Sequence, residues 1–202
     1  MIQTPTQPET LSLELPRAIA LQVTQEQFEL LSAANRDLKL ERTANGELIV
    51  NPPTGGESGK RNLSISTQLG NWVEAHEALG EGFDSSTGFR LPNGADRSPD
   101  ASWVRRDRWE SLTPEQRKGF VPLCPDFVIE LRSESDSLAK LQSKMREYIA
   151  NGARLGWLID PQHKQVEIYR AGKDVDILEH PTELSGEAVL PGFVLTFKRV
   201  WI

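Results

Sequence analysis

The sequence predicts an α/β domain built around one hydrophobic core, and three observations carry that reading. Phe127, Val128, Ile129 and Leu131 form a nearly continuous apolar run, as expected of a central strand covered on both faces. Leu63, Ile65, Leu69, Trp72 and Val73 recur near helical spacing, and Leu138, Leu141, Met145, Tyr148 and Ile149 form a second helical stripe. The length of 202 residues suits a single core that needs neither disulfides nor metal to hold it.

In chain order, residues 1–16 combine Pro5, Pro8 and Pro16 with Thr and Gln and are expected to form a mobile arm, leaving 17–202 as one domain. Thr24 and Gln27 have capping-box spacing ahead of Phe28, Leu30 and Leu31, which predicts a helix to about Ala34. Residues 38–42 and 47–50 flank Asn45-Gly46, where both residues tolerate positive φ, so a β-hairpin follows as an N-terminal addition.

Beyond the Pro52-Pro53 and Gly55-Gly56 breakers, a long helix is predicted through His76, opening beside Glu57. Residues 83–91 read as a strand, Asn93-Gly94 as a turn, and 101–104 as a returning strand that begins just after Asp100. Thr113-Pro114-Glu115-Gln116 has the signature of a small helix start. After the central strand, Ser135 or Asp136 is placed to cap a helix that ends at Asn151-Gly152. Residues 155–159 form a second central strand, Val166 and Ile168 alternate as on a sheet with one wetter face, and 189–201 read as closing strands.

Composition narrows the chemistry. Cys124 is the single cysteine, and His76, His163 and His180 stand far apart, so a metal site would use oxygen ligands. No apolar stretch approaches the roughly 20 residues of a spanning helix. The first residues lack the basic region and apolar run of a secretory signal, so a cytoplasmic protein with no membrane partner is expected. A formal charge of −6 argues against a protein that coats nucleic acid, but metal-site carboxylates contribute to that count. Arg105, Arg106 and Arg108 are candidate phosphate contacts, although a charge run after a strand is ordinarily a solvated loop.

The chemistry centres on Asp100 and Glu130. A carboxylate at the start of one strand and another inside its buried neighbour are able to converge on one hard cation, Mg²⁺ or Mn²⁺, with the Leu131 carbonyl as a further oxygen. Asp126 competes for the first role, but four residues of strand separate it from Glu130, about 13 Å at 3.3 Å per residue, so Asp100 is favoured. Arg132 lies on the same strand face as Glu130, where a Glu-x-Lys site would carry lysine, and a guanidinium binds phosphate but does not serve as a base. On the next helix Lys144 falls beside the apolar stripe next to Tyr148, whereas Lys140 points into solvent, so Lys144 is the candidate to orient an attacking water or to stabilise developing charge.

The segments SPDASWV, PDFVIELRS and LQSKMREYIANGARLGWLIDP resemble the Uma-type restriction endonuclease-like domain, a bacterial family, over most of the chain beyond the arm. The resemblance implies the fold of PD-(D/E)XK nucleases, a mixed central sheet flanked by helices. It also implies metal-binding acids on adjacent strands, here Asp100 and Glu130, and a lysine moved from the strand to the following helix, here Lys144. Glu57 is a further candidate acid on the first core helix, and Arg132 a further candidate site residue in the vacated lysine place. The implied activity is metal-dependent hydrolysis of phosphodiester bonds in DNA, with a homodimer compatible with cutting both strands. The rival reading is an inactive nuclease-fold module that binds protein or nucleic acid.

Overall fold

The structure, a computed structural model, describes residues 20–201, so the arm expected at 1–16 lies outside the described residues. Thr24 caps the first helix, α1 (Gln25–Ala34), by the reciprocal bonds of a capping box: its Oγ1 accepts the Gln27 N–H and its own N–H donates to Gln27 Oε1. Phe28 buries against the core, whereas Leu30, counted in the apolar stripe, is exposed.

The hairpin forms from β1 (Lys39–Arg42) and β2 (Leu48–Asn51). In its turn Gly46 alone takes a positive φ, at 89°, and its N–H donates to the Thr43 carbonyl. α2 (Gly56–Ala75) buries Ile65, Leu69 and Trp72, and leaves Leu63 in solvent. The strand expected over 83–91 divides into β3 (Gly80–Asp84) and β4 (Phe89–Arg90), because residues 85–88 turn the chain from one sheet into another.

β5 (Asp96–Arg97), β6 (Ala101–Arg105) and the short α3 (Arg106–Glu110) follow. Thr113 and Gln116 do form reciprocal cap bonds, but only turns develop there, since the following residues are exposed and bury no face that would extend a helix. β7 (Phe127–Leu131) is buried throughout. α4 (Leu138–Ala150) starts after Ser137, one residue beyond the expected caps, because the Asp136 carboxylate is occupied by the Ser133 N–H. The remaining strands are β8 (Leu155–Asp160), β9 (Gln165–Arg170), β10 (Asp176–Glu179), β11 (Glu183–Ser185) and β12 (Val194–Thr196).

The central sheet has six strands in the order β10-β9-β8-β7-β6-β3 and is mixed: β7 and β8 run parallel, and every other pair is antiparallel. The parallel pair requires a crossover, which α4 supplies. β2-β1-β5-β4 form a second sheet, and β11-β12 a small third one. α2 covers one face of the central sheet with Phe127, Ile129, Trp157 and Phe193, while α4 covers the other with Val128, Leu158 and Tyr169. That second face is drier than the alternation of β9 suggested: Glu167 is also buried beneath α4, where it accepts bonds from Gln142 and Tyr169. Gly156 leaves room for the Met145 methyl group of α4, since a Cβ there would lie 2.5 Å from Met145 Cε. Among the described residues no helix is long and apolar enough to cross a membrane.

Candidate functional site

Strand alternation sends Phe127, Ile129 and Leu131 of β7 toward α2 and leaves Glu130 under α4. Glu130 is 4% exposed, a placement that requires partners for its charge. α4 supplies two from successive turns of one helix face. Lys144 Nζ lies 2.8 Å from Glu130 Oε1, and the Tyr148 hydroxyl donates to the same oxygen at 3.0 Å.

A second carboxylate reaches the same ammonium. Glu41 of β1 has its Oε1 2.8 Å from Lys144 Nζ and accepts the Ser98 N–H at 3.0 Å, while its Oε2 faces Arg97 Nη1 at 3.4 Å. Arg97 is itself held by Glu147 of α4, Nε to Oε2 at 2.6 Å. β1 and β5 of the smaller sheet are thereby fastened to the helix over the central one.

Asp100, just before β6, projects across to β7. Its N–H donates to the Ile129 carbonyl at 3.0 Å, its Oδ2 accepts the Leu131 N–H at 2.8 Å, and its Oδ1 faces Lys39 Nζ at 3.3 Å. Glu41 of β1, Glu130 of β7, Asp100 at the entrance to β6 and two lysines therefore gather where the smaller sheet, the central sheet and α4 meet.

The electrostatics follow from burial and from an excess of acid. Burial, reinforced by the negative charges of Asp100 and Glu41, pushes the Glu130 carboxyl up to about 7 despite Lys144. Burial also works against ionisation of Glu41, but Lys144, Arg97 and the Ser98 N–H outweigh it and hold that carboxyl below its ordinary value. Lys144 is buried too, yet its two carboxylates more than compensate and raise its pKa, so it remains an ammonium. Burial and the neighbouring Glu130 raise the Tyr148 phenol well above its usual range, which keeps it a hydrogen-bond donor.

Among the described residues no group of three or more His, Cys, Asp or Glu side chains is gathered closely enough to hold a metal by itself. The donor chemistry nevertheless fits a hard divalent cation. Asp100 and Glu130 offer carboxylate oxygens of like charge, and a cation beside both would offset the repulsion that adds to burial in raising the Glu130 pKa.

The other residues singled out from sequence lie apart from this cluster. Glu57 is exposed at the start of α2, where it pairs with Lys60 at 3.0 Å and Arg61 at 3.8 Å. Arg132 follows the end of β7 and turns to Asp160, 2.8 Å away, so its partner is the end of β8 rather than Glu130. Asp126 accepts the Arg105 N–H and pairs with Arg108, a strand-entrance role. Arg105 pairs with Asp107, and Arg106 with Glu81.

Sequence reasoning missed Glu41 and Lys39. Their signal was local and readable: Lys39-Leu40-Glu41 alternates, so a buried apolar residue on one strand face implies that the two charges share the other. Read only as a hairpin, the segment did not disclose what that charged face would meet.

A family model described as "Uma2: Putative restriction endonuclease" matches residues 25–198. Among solved structures, the chain is similar to one described as a "putative nuclease belonging to DUF820" from Anabaena variabilis ATCC 29413. The identity is 19% and the TM-score 0.68, over 80% of this chain and 89% of that one, a likeness that bears on fold alone. No curated protein matches the chain.

Proposed function

The chain belongs to the Uma2 family, and from that premise we propose that it is a metal-dependent nuclease that hydrolyses phosphodiester bonds in DNA. The observation that carries this reading is the buried meeting of Glu41 and Glu130 on Lys144, with Asp100 close enough to Glu130 to raise its pKa. Perturbed carboxylates with a fixed ammonium beside them are the apparatus that phosphoryl transfer to water calls for.

Asp100 and Glu130 would hold Mg²⁺ or Mn²⁺, which when bound supplies Lewis-acid polarisation of the phosphoryl group and a nucleophile at neutral pH. Tyr148 and Lys144 set the orientation of the Glu130 carboxylate through their shared contact with Oε1. Lys144, kept charged by two carboxylates, acts as a fixed positive charge for the transition state rather than as a proton acceptor. Lys39, 30% exposed and beside Asp100, is the more exposed of the two lysines in the cluster and meets an incoming phosphate before Lys144 does.

The test is incubation of the full chain, with Mg²⁺ or Mn²⁺, against single- and double-stranded DNA and RNA, alongside Asp100→Asn and Glu130→Gln. Cleavage by the wild type that both variants lose supports the reading, whereas a panel left uncut defeats it.

One observation favours a second reading. Glu41, Lys144 and Glu130 satisfy one another without any ligand, as a structural network in a nuclease-fold binding module would. Calorimetric titration of Mn²⁺ into the wild type and Asp100→Ala separates the two: equal heats favour the module, and loss of binding favours a metal centre.

A further inference from the structure

We propose that the concavity between α1, the 85–88 turn and the 117–120 loop is the track along which the DNA strand reaches the acid cluster, gripped by its phosphates and not by its bases. This assignment rests on the nuclease reading and extends it to a binding surface.

Charge is the first support. The concavity, about 920 Å³, is lined by Arg36, Lys39, Arg90, Arg117 and Lys118, against only Glu29 and Asp37. That local balance is the reverse of the whole chain, which has 29 acidic and 23 basic side chains. Glu29 is already matched by Arg90 at 2.8 Å. The side chains of Arg36 and Lys118 have no ion-pair or hydrogen-bond partner among the described residues, unlike those of Arg105, Arg106 and Arg108, each of which is matched by an acid. Exposed cations of one sign on a concave wall attract a polyanion and concentrate its field.

Continuity is the second support. Lys39 and Ser98 line the concavity and also touch the cluster, Lys39 through Asp100 and the Ser98 N–H through Glu41. A strand lying on Arg36 and Lys118 would therefore meet Lys39 and then Asp100 without leaving the surface.

The lining chemistry decides between backbone and bases. Its one aromatic ring, Phe120, packs edge-on against Phe28 at 5.1 Å and closes over Gly88, where a Cβ would come within 2.3 Å of the ring. It therefore offers no free face for base stacking. The remaining polar groups are short side chains, Ser85, Ser86 and Thr87 among them, suited to phosphate oxygens.

The experiment measures binding of labelled DNA oligonucleotides, single-stranded and duplex, to the full chain by fluorescence anisotropy in chelator over a salt series. Arg36→Glu combined with Lys118→Glu is expected to weaken binding at least tenfold. For two lost phosphate contacts the log–log salt dependence should flatten by about 1.4 to 1.8. Lys140→Glu combined with Lys173→Glu makes the same charge change at exposed positions away from the concavity, and should leave affinity within twofold. Arg36→Ser with Lys118→Ser, a milder pair, keeps the comparison valid if the reversal harms folding.

Unbound wild type, an unaffected groove variant, or equal loss in the control overturns the proposal. Cleavage assays keep the two readings apart. Groove-dependent binding without cutting sinks the nuclease and spares the track, whereas cutting that ignores the groove variants sinks the track alone.

Discussion

Asp100 Oδ2 accepts the backbone N–H of Leu131 at 2.8 Å, so the carboxylate that precedes β6 is fastened to β7 one residue beyond Glu130. Two acids distant in sequence are thereby held together by a bond from backbone N–H to side-chain carboxylate that does not depend on the rotamer of Glu130.

Asp100→Asn isolates charge from geometry at this point. The amide oxygen can still accept the Leu131 N–H, so stability should change by no more than about 1 kcal/mol. Heat released on Mn²⁺ addition should fall to the level of buffer. Removal of the Asp100 charge should also lower the Glu130 pKa, because that charge helps to raise it. Thermal unfolding, calorimetry and carboxyl titration by NMR check the three parts, and a variant that unfolds would contradict the first.

The pH dependence at Glu130 should run opposite to that of an ordinary paired carboxylate. Its folded value of about 7 lies above the 4.5 of an unperturbed Glu, so between those values the folded chain binds more protons than the unfolded one. Stability of the metal-free protein from this group therefore falls as pH rises through that window, at about 1.4 kcal/mol per pH unit at most. Glu41, depressed by Lys144 and Arg97, acts in the other sense: its contribution is present above 4.5 and is lost as pH falls through its folded value. Urea denaturation of the wild type and Glu130→Gln at pH 5 and pH 7.5 checks the sign. The gap should move in favour of the Gln variant at the higher pH.

Lys144→Met should be the most damaging single change in the cluster. It leaves Glu41 and Glu130 buried without their shared cation, a loss of about 3 to 5 kcal/mol. The deficit should narrow as pH falls and Glu130 takes up a proton. A loss below about 1 kcal/mol, the scale of an exposed pair, would show that the ammonium is not holding the two acids.

Cys124 offers a probe of α4 docking. Burial pushes its thiol up to about 12, and its S–H donates to the Tyr148 carbonyl at 3.4 Å. The native protein at pH 8 should resist iodoacetamide, while urea-unfolded protein reacts promptly. In Lys144→Met the native-state rate should rise, because the helix that shields the thiol has lost an anchor.

The elements of the fold were legible wherever one local pattern sufficed. Thr24 and Gln27 announced a helix start that forms as read, the apolar run of β7 announced a central strand, and the stripe of α2 announced a helix covering a sheet. Local pattern failed where partners were remote. Thr113 and Gln116 make their cap, but no helix grows from it without a buried face, and the 83–91 segment divides between two sheets. For Glu57, position at the head of α2 suggested a site residue, but the structure places it in solvent with Lys60 and Arg61.

What the sequence by itself determined is the set of side chains that each element must turn inward: Glu130 as the polar exception in an apolar strand, and Lys144 at the edge of a helical stripe. Those choices rest on periodicities of two and 3.6, which neighbouring residues impose. Only the tertiary structure decided which inward-facing charges meet. That β1 brings Glu41 to Lys144 and Lys39 to Asp100 depends on the packing of two sheets around α4, a long-range match of surfaces that leaves no trace in local spacing.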